Sequence, residues 1–493
     1  MTTDLAATGI PGLDDILRGG LPRRRIYLLQ GSPGTGKTTL GLQFLLEGKR
    51  RGETGLYVTL SETEEELHAV ARSHGWDLSG IGVHPLSSLE EMLDAQAQNT
   101  LFHPAEVELN ETTSRVLELV DRERPQRIVF DSLSELRLLA GDSLRYRRQI
   151  LSLKQYFAGR QSTVLFLDDG TAAESDLQLH SLSHGVVLLH SGSPDYGAVR
   201  RRLEITKLRG VPFRTGRHDY TIEKGGLQVF PRLVAAEHHL DFVEETLSCG
   251  VPDLDALLGG GLARGTSTLL LGPAGTGKSS LVAQFAHAST TRGEKVAIFA
   301  FDENVGTLFA RARGLGIPLE EAAEAGRLAV HQVDPAELSP GELAHRVREA
   351  VERDGVRIIA IDSVNGYLMS MPDEQNLVIH LHELLSYLAQ RGVTTLMVVA
   401  QHGLLGTMAA PVDVTYLSDT VMLLRFFEAE GRVRKAISVL KKRIGSHEDT
   451  IRELQVGGGG VRVGAPLSEF RGVLSGTPAF SGRTSALLDD PSR

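Results

Sequence analysis

Cysteine is almost absent from this chain of 493 residues: Cys249 stands alone, so no intrachain disulfide can form and a secreted, disulfide-stapled scaffold is excluded. Long apolar runs are missing too, none approaching the roughly 18 residues that a membrane span needs, and the N-terminus lacks a basic stretch followed by an apolar core. The expected setting is the cytoplasm, with no membrane partner. There is no excess of positive charge. Fifty-two Lys and Arg stand against 62 Asp and Glu, a formal charge of -10, which is not the balance of a dedicated duplex-DNA binder. The histidines, His238 and His239 included, show no metal-ligand spacing.

The chain does contain a copy of itself. Residues 8–62, beginning TGIPGLDDILRGGLP, recur at 249–303, beginning CGVPDLDALLGGGLA, shifted by 241 positions without a gap. RIVFDSLSEL is then answered by RIIAIDSVNGY, and LEITKLRG by ISVLKKRIG, in the same order. A period this long means that each copy is a whole domain with its own core rather than a solenoid unit. Within each copy, apolar β-rich stretches such as IYLLQ, RIVFD and GVVLLH alternate with helical patterns such as TTLGLQFLLEGKR. That alternation predicts an α/β fold, with two tandem domains each built on a mainly parallel sheet flanked by helices. The expected boundaries are 1–235 and 236–465, followed by a Gly-, Ser-, Thr- and Pro-containing tail over 466–493 with little core of its own.

Both copies carry the phosphate-binding pattern G-x-x-x-x-G-K-[ST] between an apolar strand and a helix. In the first it is Gly31, Ser32, Pro33, Gly34, Thr35, Gly36, Lys37 and Thr38, with Thr39 following; in the second, Gly272, Pro273, Ala274, Gly275, Thr276, Gly277, Lys278 and Ser279, with Ser280 following. The glycines let backbone N–H groups turn inward around phosphate oxygens, the lysine neutralises β and γ charge, and the hydroxyl of Thr38 or Ser279 suits Mg²⁺. ATP and Mg²⁺ are therefore the expected ligands. Asp131 and Asp362 each end a later apolar strand and precede a serine, the place for a carboxylate that holds the waters of the metal; a turn-capping aspartate is the alternative. A base for the attacking group belongs at the end of the next strand, where the first copy offers Ser61 and Glu62 and the second Asp302 and Glu303. Thr63 to Glu66 also read as an acidic helix start, so a solvated loop competes with that assignment.

This order of motifs resembles KaiC and the KaiC-like ATPases of the RecA superfamily over nearly the whole chain. The family carries two adjacent glutamates at this strand end, the first usually assigned as base; here Ser61 and Asp302 stand at that first position, and Glu62 and Glu303 match the second. Ser61 cannot serve as a base unaided at neutral pH, so Glu62 takes the role or turnover in the first domain is slow. In LEITKLRG the period of two places Leu203, Ile205, Lys207 and Arg209 on one face, and Ile437, Val439, Lys441 and Arg443 repeat the arrangement. The resemblance implies that Lys207, Arg209, Lys441 and Arg443 reach the nucleotide of an adjacent subunit, hence a homo-oligomer: a hexameric ring, two-tiered because the domain is duplicated. It also implies regulatory protein partners and a serine/threonine autokinase in the second domain, with Thr415 the candidate acceptor; Tyr416 stands where the family has threonine, which departs from its two-site pattern. Two rival readings remain at this point. One is a recombinase-like DNA-dependent ATPase, disfavoured by the charge; the other is a scaffold assembled by ATP with little turnover.

Overall fold

The apolar stretches of the repeat are strands buried on both faces. In Ile26–Gly31 every residue is buried, and the neighbours Leu28 and Leu29 enter different hydrophobic clusters on opposite sides of the sheet. A strand covered by helices on both faces has no need for polar alternation, which is why these segments read as continuous apolar runs. The computed structural model describes residues 4–86, 104–170, 176–369, 377–401, 414–429, 431–473 and 479–480.

The chain forms two compact units, Met1–Arg232 and Leu233–Arg493. Each contains a nine-stranded sheet of the same order. In the first unit the strands run across the sheet as Gly226–Phe230, Arg217–Glu223, Arg200–Leu208, Gly185–Gly192, Ile26–Gly31, Thr163–Asp168, Arg127–Asp131, Gly55–Thr59 and Ile81–Pro85. The six from Gly185–Gly192 to Ile81–Pro85 are parallel, and the other three are added antiparallel at one edge. In the second unit Ser267–Gly272 takes the central place, between Thr394–Ala400 and Thr420–Ala429. Sequence order reverses at that central strand, so a crevice opens beyond its C-terminal end, the usual ligand position in an open α/β sheet. The fold class expected from the sequence, two tandem RecA-like domains with mainly parallel sheets, is the one present.

The acidic start at Thr63 is a helix cap. Thr63 Oγ1 accepts from the Glu66 N–H and the Glu66 carboxylate accepts from the Thr63 N–H at 2.8 Å, opening the helix Glu64–Ser73. Leu233 and Ala235, on the first-domain side of the junction expected from sequence, are buried in the core of the second unit beside Leu384 and Leu388. At the other end, Leu467 and Val473 of the segment expected to be a tail are buried with Phe427, Ala429 and Ala436. Positions 474–478 and 481–493 lie outside the described residues. Among the described residues no helix is long and apolar enough to cross a membrane.

Candidate functional site

Each central strand delivers its glycine loop to the start of a fourteen-residue helix, Lys37–Arg50 or Lys278–Thr291. Gly36 and Gly277 precede these helices with φ of 90° and 106°, and a Cβ on Gly36 would lie 2.6 Å from Ile222. Neither helix has a side-chain cap or an acidic residue in its first turn. Its leading N–H groups therefore keep their affinity for an anion.

Lys37 folds back over the loop, donating to Gly31 O at 2.7 Å and Ser32 O at 3.3 Å, and makes an ion pair with Asp169 at 2.8 Å. Lys278 donates to Gly272 O at 2.8 Å and Pro273 O at 2.7 Å; burial draws its ammonium down to about 8, opposed by the charge of Asp362. Beside the first lysine, Thr38 Oγ1 donates to Asp131 Oδ2 at 3.3 Å, and the same oxygen accepts from Tyr57 OH at 2.6 Å. Burial raises the Asp131 carboxyl, and the bonds from Tyr57 and Thr38 partly offset it. In the second domain Ser279 bonds Asp362, whose carboxyl is likewise raised by burial. The Asp131–Ser132 and Asp362–Ser363 peptides are both cis.

The strand-end carboxylates differ between the copies. Glu62 is raised to about 7, first by burial and then by the charges of Asp131 and Glu66, and its Oε2 is buried without a partner. Glu303 instead receives two bonds from Arg311, at 2.7 and 3.2 Å. Asp302 accepts from Ser363 Oγ. Thus Lys37, Thr38, Asp131 and Glu62 form one cluster, and Lys278, Ser279, Asp362, Asp302 and Glu303 another.

The four strand cations are elsewhere. Lys207 donates to the carbonyls of His180 and Ser181, and Arg209 to Ser181 O at 3.3 Å. Lys441 donates to Thr415 O at 3.2 Å and Ser418 O at 2.7 Å, while Arg443 pairs with Asp419 at 2.9 Å. Lys441 lies opposite Val421, which is in the row of Leu269, so it stands roughly 10 Å along the strand from Gly272. The expected shared face is corrected. A register shift leaves Thr206 unpaired between Ile205 and Lys207, and another leaves Leu440 unpaired between Val439 and Lys441. One extra residue turns the following side chains to the other face. Leu208 accordingly joins Leu203 and Ile205 in one cluster, and Lys207 and Arg209 point away from it. Thr415 opens a short 3₁₀ turn, Thr415–Leu417, just before the strand Thr420–Ala429.

A family model for the KaiC ATPase matches the chain twice, over residues 6–234 and 247–468. The chain belongs to the KaiC ATPase family. It is 27% identical to circadian clock protein KaiC3 of a Synechocystis species, over 98% of this chain and 97% of the relative. It is 28% identical to the circadian clock oscillator protein KaiC of Synechococcus elongatus, over 96% and 91%, and 28% identical to that of a Picosynechococcus species, over 96% and 92%. ATPase domains of this family thus account for both halves of the chain. Three residues at these sites lie outside the sequence motifs: Tyr57, Asp169 and Arg311. The Asp168-Asp169 doublet at a strand end was a visible signal, whereas nothing in the sequence marked Tyr57 or Arg311.

Proposed function

We propose that this chain is a Mg²⁺-dependent ATPase that assembles into a two-tier ring, of six copies as the family resemblance implies, and hydrolyses ATP between neighbouring subunits. The observation that carries this reading is the repeated separation of parts. Lysine, hydroxyl and carboxylates gather at the C-terminal end of each sheet, and the Lys/Arg strand ends lie toward the other. A subunit with that layout cannot offer Lys207 and Arg209, or Lys441 and Arg443, to its own loop, but a neighbour in a ring can.

The residues fit the metal. Thr38 and Ser279 each present a hydroxyl next to a strand-end aspartate, and Glu62, close enough to feel the charges of Asp131 and Lys37, keeps an oxygen without a partner. Mg²⁺ bound there with ATP neutralises charge on the β- and γ-phosphates. The loop N–H groups from Gly31 to Thr39 and from Gly272 to Ser280, other than at Pro33 and Pro273, cradle phosphate, and Lys37 and Lys278 turn from their carbonyl partners to the γ-phosphate. Asp131 and Asp362, beside the hydroxyls of Thr38 and Ser279, would hold the waters of the metal. Glu62, near 7, takes the proton of the attacking water in the first domain. In the second domain Asp302, seated by Ser363, does so, with Glu303 beside it.

One observation favours a second reading, phosphoryl transfer to Thr415: its carbonyl is bonded by Lys441, so a neighbour's loop that receives Lys441 also receives Thr415. The clock names of the relatives extend the proposal to a signalling or circadian-type role in the cytoplasm, with regulatory protein partners. The test follows the γ-phosphate of labelled ATP, with Lys37→Ala and Lys278→Ala as controls. Free phosphate that falls with each substitution supports hydrolysis in both domains; label on the protein lost only with Lys278→Ala supports the kinase. Neither product despite tight binding would leave ATP as assembly glue, and stimulation by DNA would favour the recombinase reading.

A further inference from the structure

The two loops match in sequence, yet their lysines are held differently. Lys278 has two carbonyl partners in its own loop. Lys37 has one close carbonyl, a longer one, and the carboxylate of Asp169 at 2.8 Å. Asp169 follows the strand Thr163–Asp168, which flanks the loop strand with Gln30 opposite Asp168. In the second domain Gly272 stands opposite Ala400, which makes Ala400 the equivalent position. The backbone is pinned alike in both: the Asp169 N–H donates to Ser134 Oγ at 3.0 Å and the Ala400 N–H to Asn365 Oδ1 at 2.7 Å. Only the first domain carries a charge there.

The neighbouring Asp168 is not interchangeable with it. Asp168 is fully buried and accepts from Gln30 at 3.0 Å, Ser134 at 3.2 Å and Arg137 at 3.1 Å. The Asp169 side chain is 29% exposed and can swing out.

We propose that Asp169 is a built-in competitor for the ATP phosphates, which makes the first domain the weaker of the two nucleotide sites. An incoming phosphate must take Lys37 from Asp169 and then leave that carboxylate near a polyanion, two opposing terms that the Ala400 position does not impose. When product leaves, Asp169 recaptures the lysine and the empty loop is again neutralised. This inference rests on the reading of both loops as ATP sites and deepens it.

The test is equilibrium binding of a fluorescent β,γ-imido ATP analogue with Mg²⁺ to the full chain. In a Lys278→Ala background, Asp169→Ala should tighten first-domain binding roughly tenfold, between the small effect of an exposed ion pair and the large effect of a buried one. Asp169→Asn, which keeps the size of the side chain, should tighten it in the same direction. In a Lys37→Ala background, Ala400→Asp should weaken the second site. Affinity that is unchanged or weaker in both Asp169 variants overturns the proposal, a weaker one meaning that Asp169 helps hold the metal. Failure of the analogue to bind the unmodified chain would sink the ATPase reading itself, and is thereby distinguished from a loss of the Asp169 effect alone.

Discussion

Turnover in the first domain should have an acid limb near pH 7 if its base is the half-buried Glu62, as proposed. Burial, with Asp131 and Glu66 adding to it, raises the Glu62 carboxyl from 4.5 to about 7. A base acts in its ionised form, so activity is full above that value and lost below it. Glu62 is about nine-tenths ionised at pH 8 and about one-tenth at pH 6, and kcat/KM, which reports the free enzyme, should fall about tenfold between them. A glutamate at 4.5 would leave the profile flat over the same range. The assay is phosphate release at subsaturating ATP and excess Mg²⁺ from the Lys278→Ala protein. The Lys37→Ala protein, run in parallel, corrects for ionisation of ATP itself. Glu62→Gln should remove about a hundredfold or more of the first-domain rate. A first-domain profile that superimposes on the second-domain one would refute the assignment, since the limb would then belong to ATP.

In the second domain, Asp302→Asn should reduce turnover about a hundredfold, but Glu303→Gln less than about tenfold, because Arg311 already occupies both oxygens of Glu303; phosphate release in a Lys37→Ala background separates them. Mixing Arg209→Ala chains with Lys37→Ala chains, both carrying Lys278→Ala, should restore about a quarter of the first-domain rate at equal amounts if the arginine acts across a closed ring; no recovery after subunit exchange would count against it. The first domain should also be sensitive to acid through His218, whose Nδ1 accepts from the Arg232 N–H at 2.9 Å and whose burial lowers it from 6.5 to about 4. The unfolded chain binds this proton at 6.5 and the folded one only near 4, so the contribution is complete above 6.5 and about 3 kcal/mol is lost as pH falls through that window. Urea unfolding followed by Trp76, the single tryptophan, reports this domain, and His218→Gln should flatten its pH dependence between 6.5 and 4.

The loops were legible because their chemistry is local: glycine where φ is positive, a lysine and a hydroxyl at fixed spacing, and a strand before and a helix after. The parallel sheet was legible because strands buried on both faces lose their alternation. The face of Lys207 and Lys441 was not, since a period-two reading fails when one residue is inserted, and Thr206 and Leu440 carry no glycine or proline to announce a bulge. Nor could spacing along the chain pair Asp169 with Lys37. That contact exists because Thr163–Asp168 lies beside Ile26–Gly31 after three other strands have been placed further out.

These unseen contacts also explain how two similar loops come to differ. Buried charges need partners, and each copy meets that need differently. In the first an acid, Asp169, holds the loop lysine and Glu62 is left with an unpartnered oxygen; in the second no acid among the described residues pairs with the lysine, and a cation, Arg311, holds Glu303. The same shift of 241 that relates the loops relates Arg311 to Val70, which is partly buried on the helix Glu64–Ser73. Val70→Arg should therefore bring a guanidinium to Glu62, favour its charged form and move the acid limb of first-domain kcat/KM below pH 7. The first-domain rate above pH 8, where Glu62 is already ionised, should fall at the same time, because a carboxylate engaged by two charge-assisted bonds is a weaker base. A limb that stays at 7 in a variant with unchanged urea midpoint would mean that residue 70 does not govern the carboxylate, and that the contrast between Glu62 and Glu303 arises from the strand ends themselves.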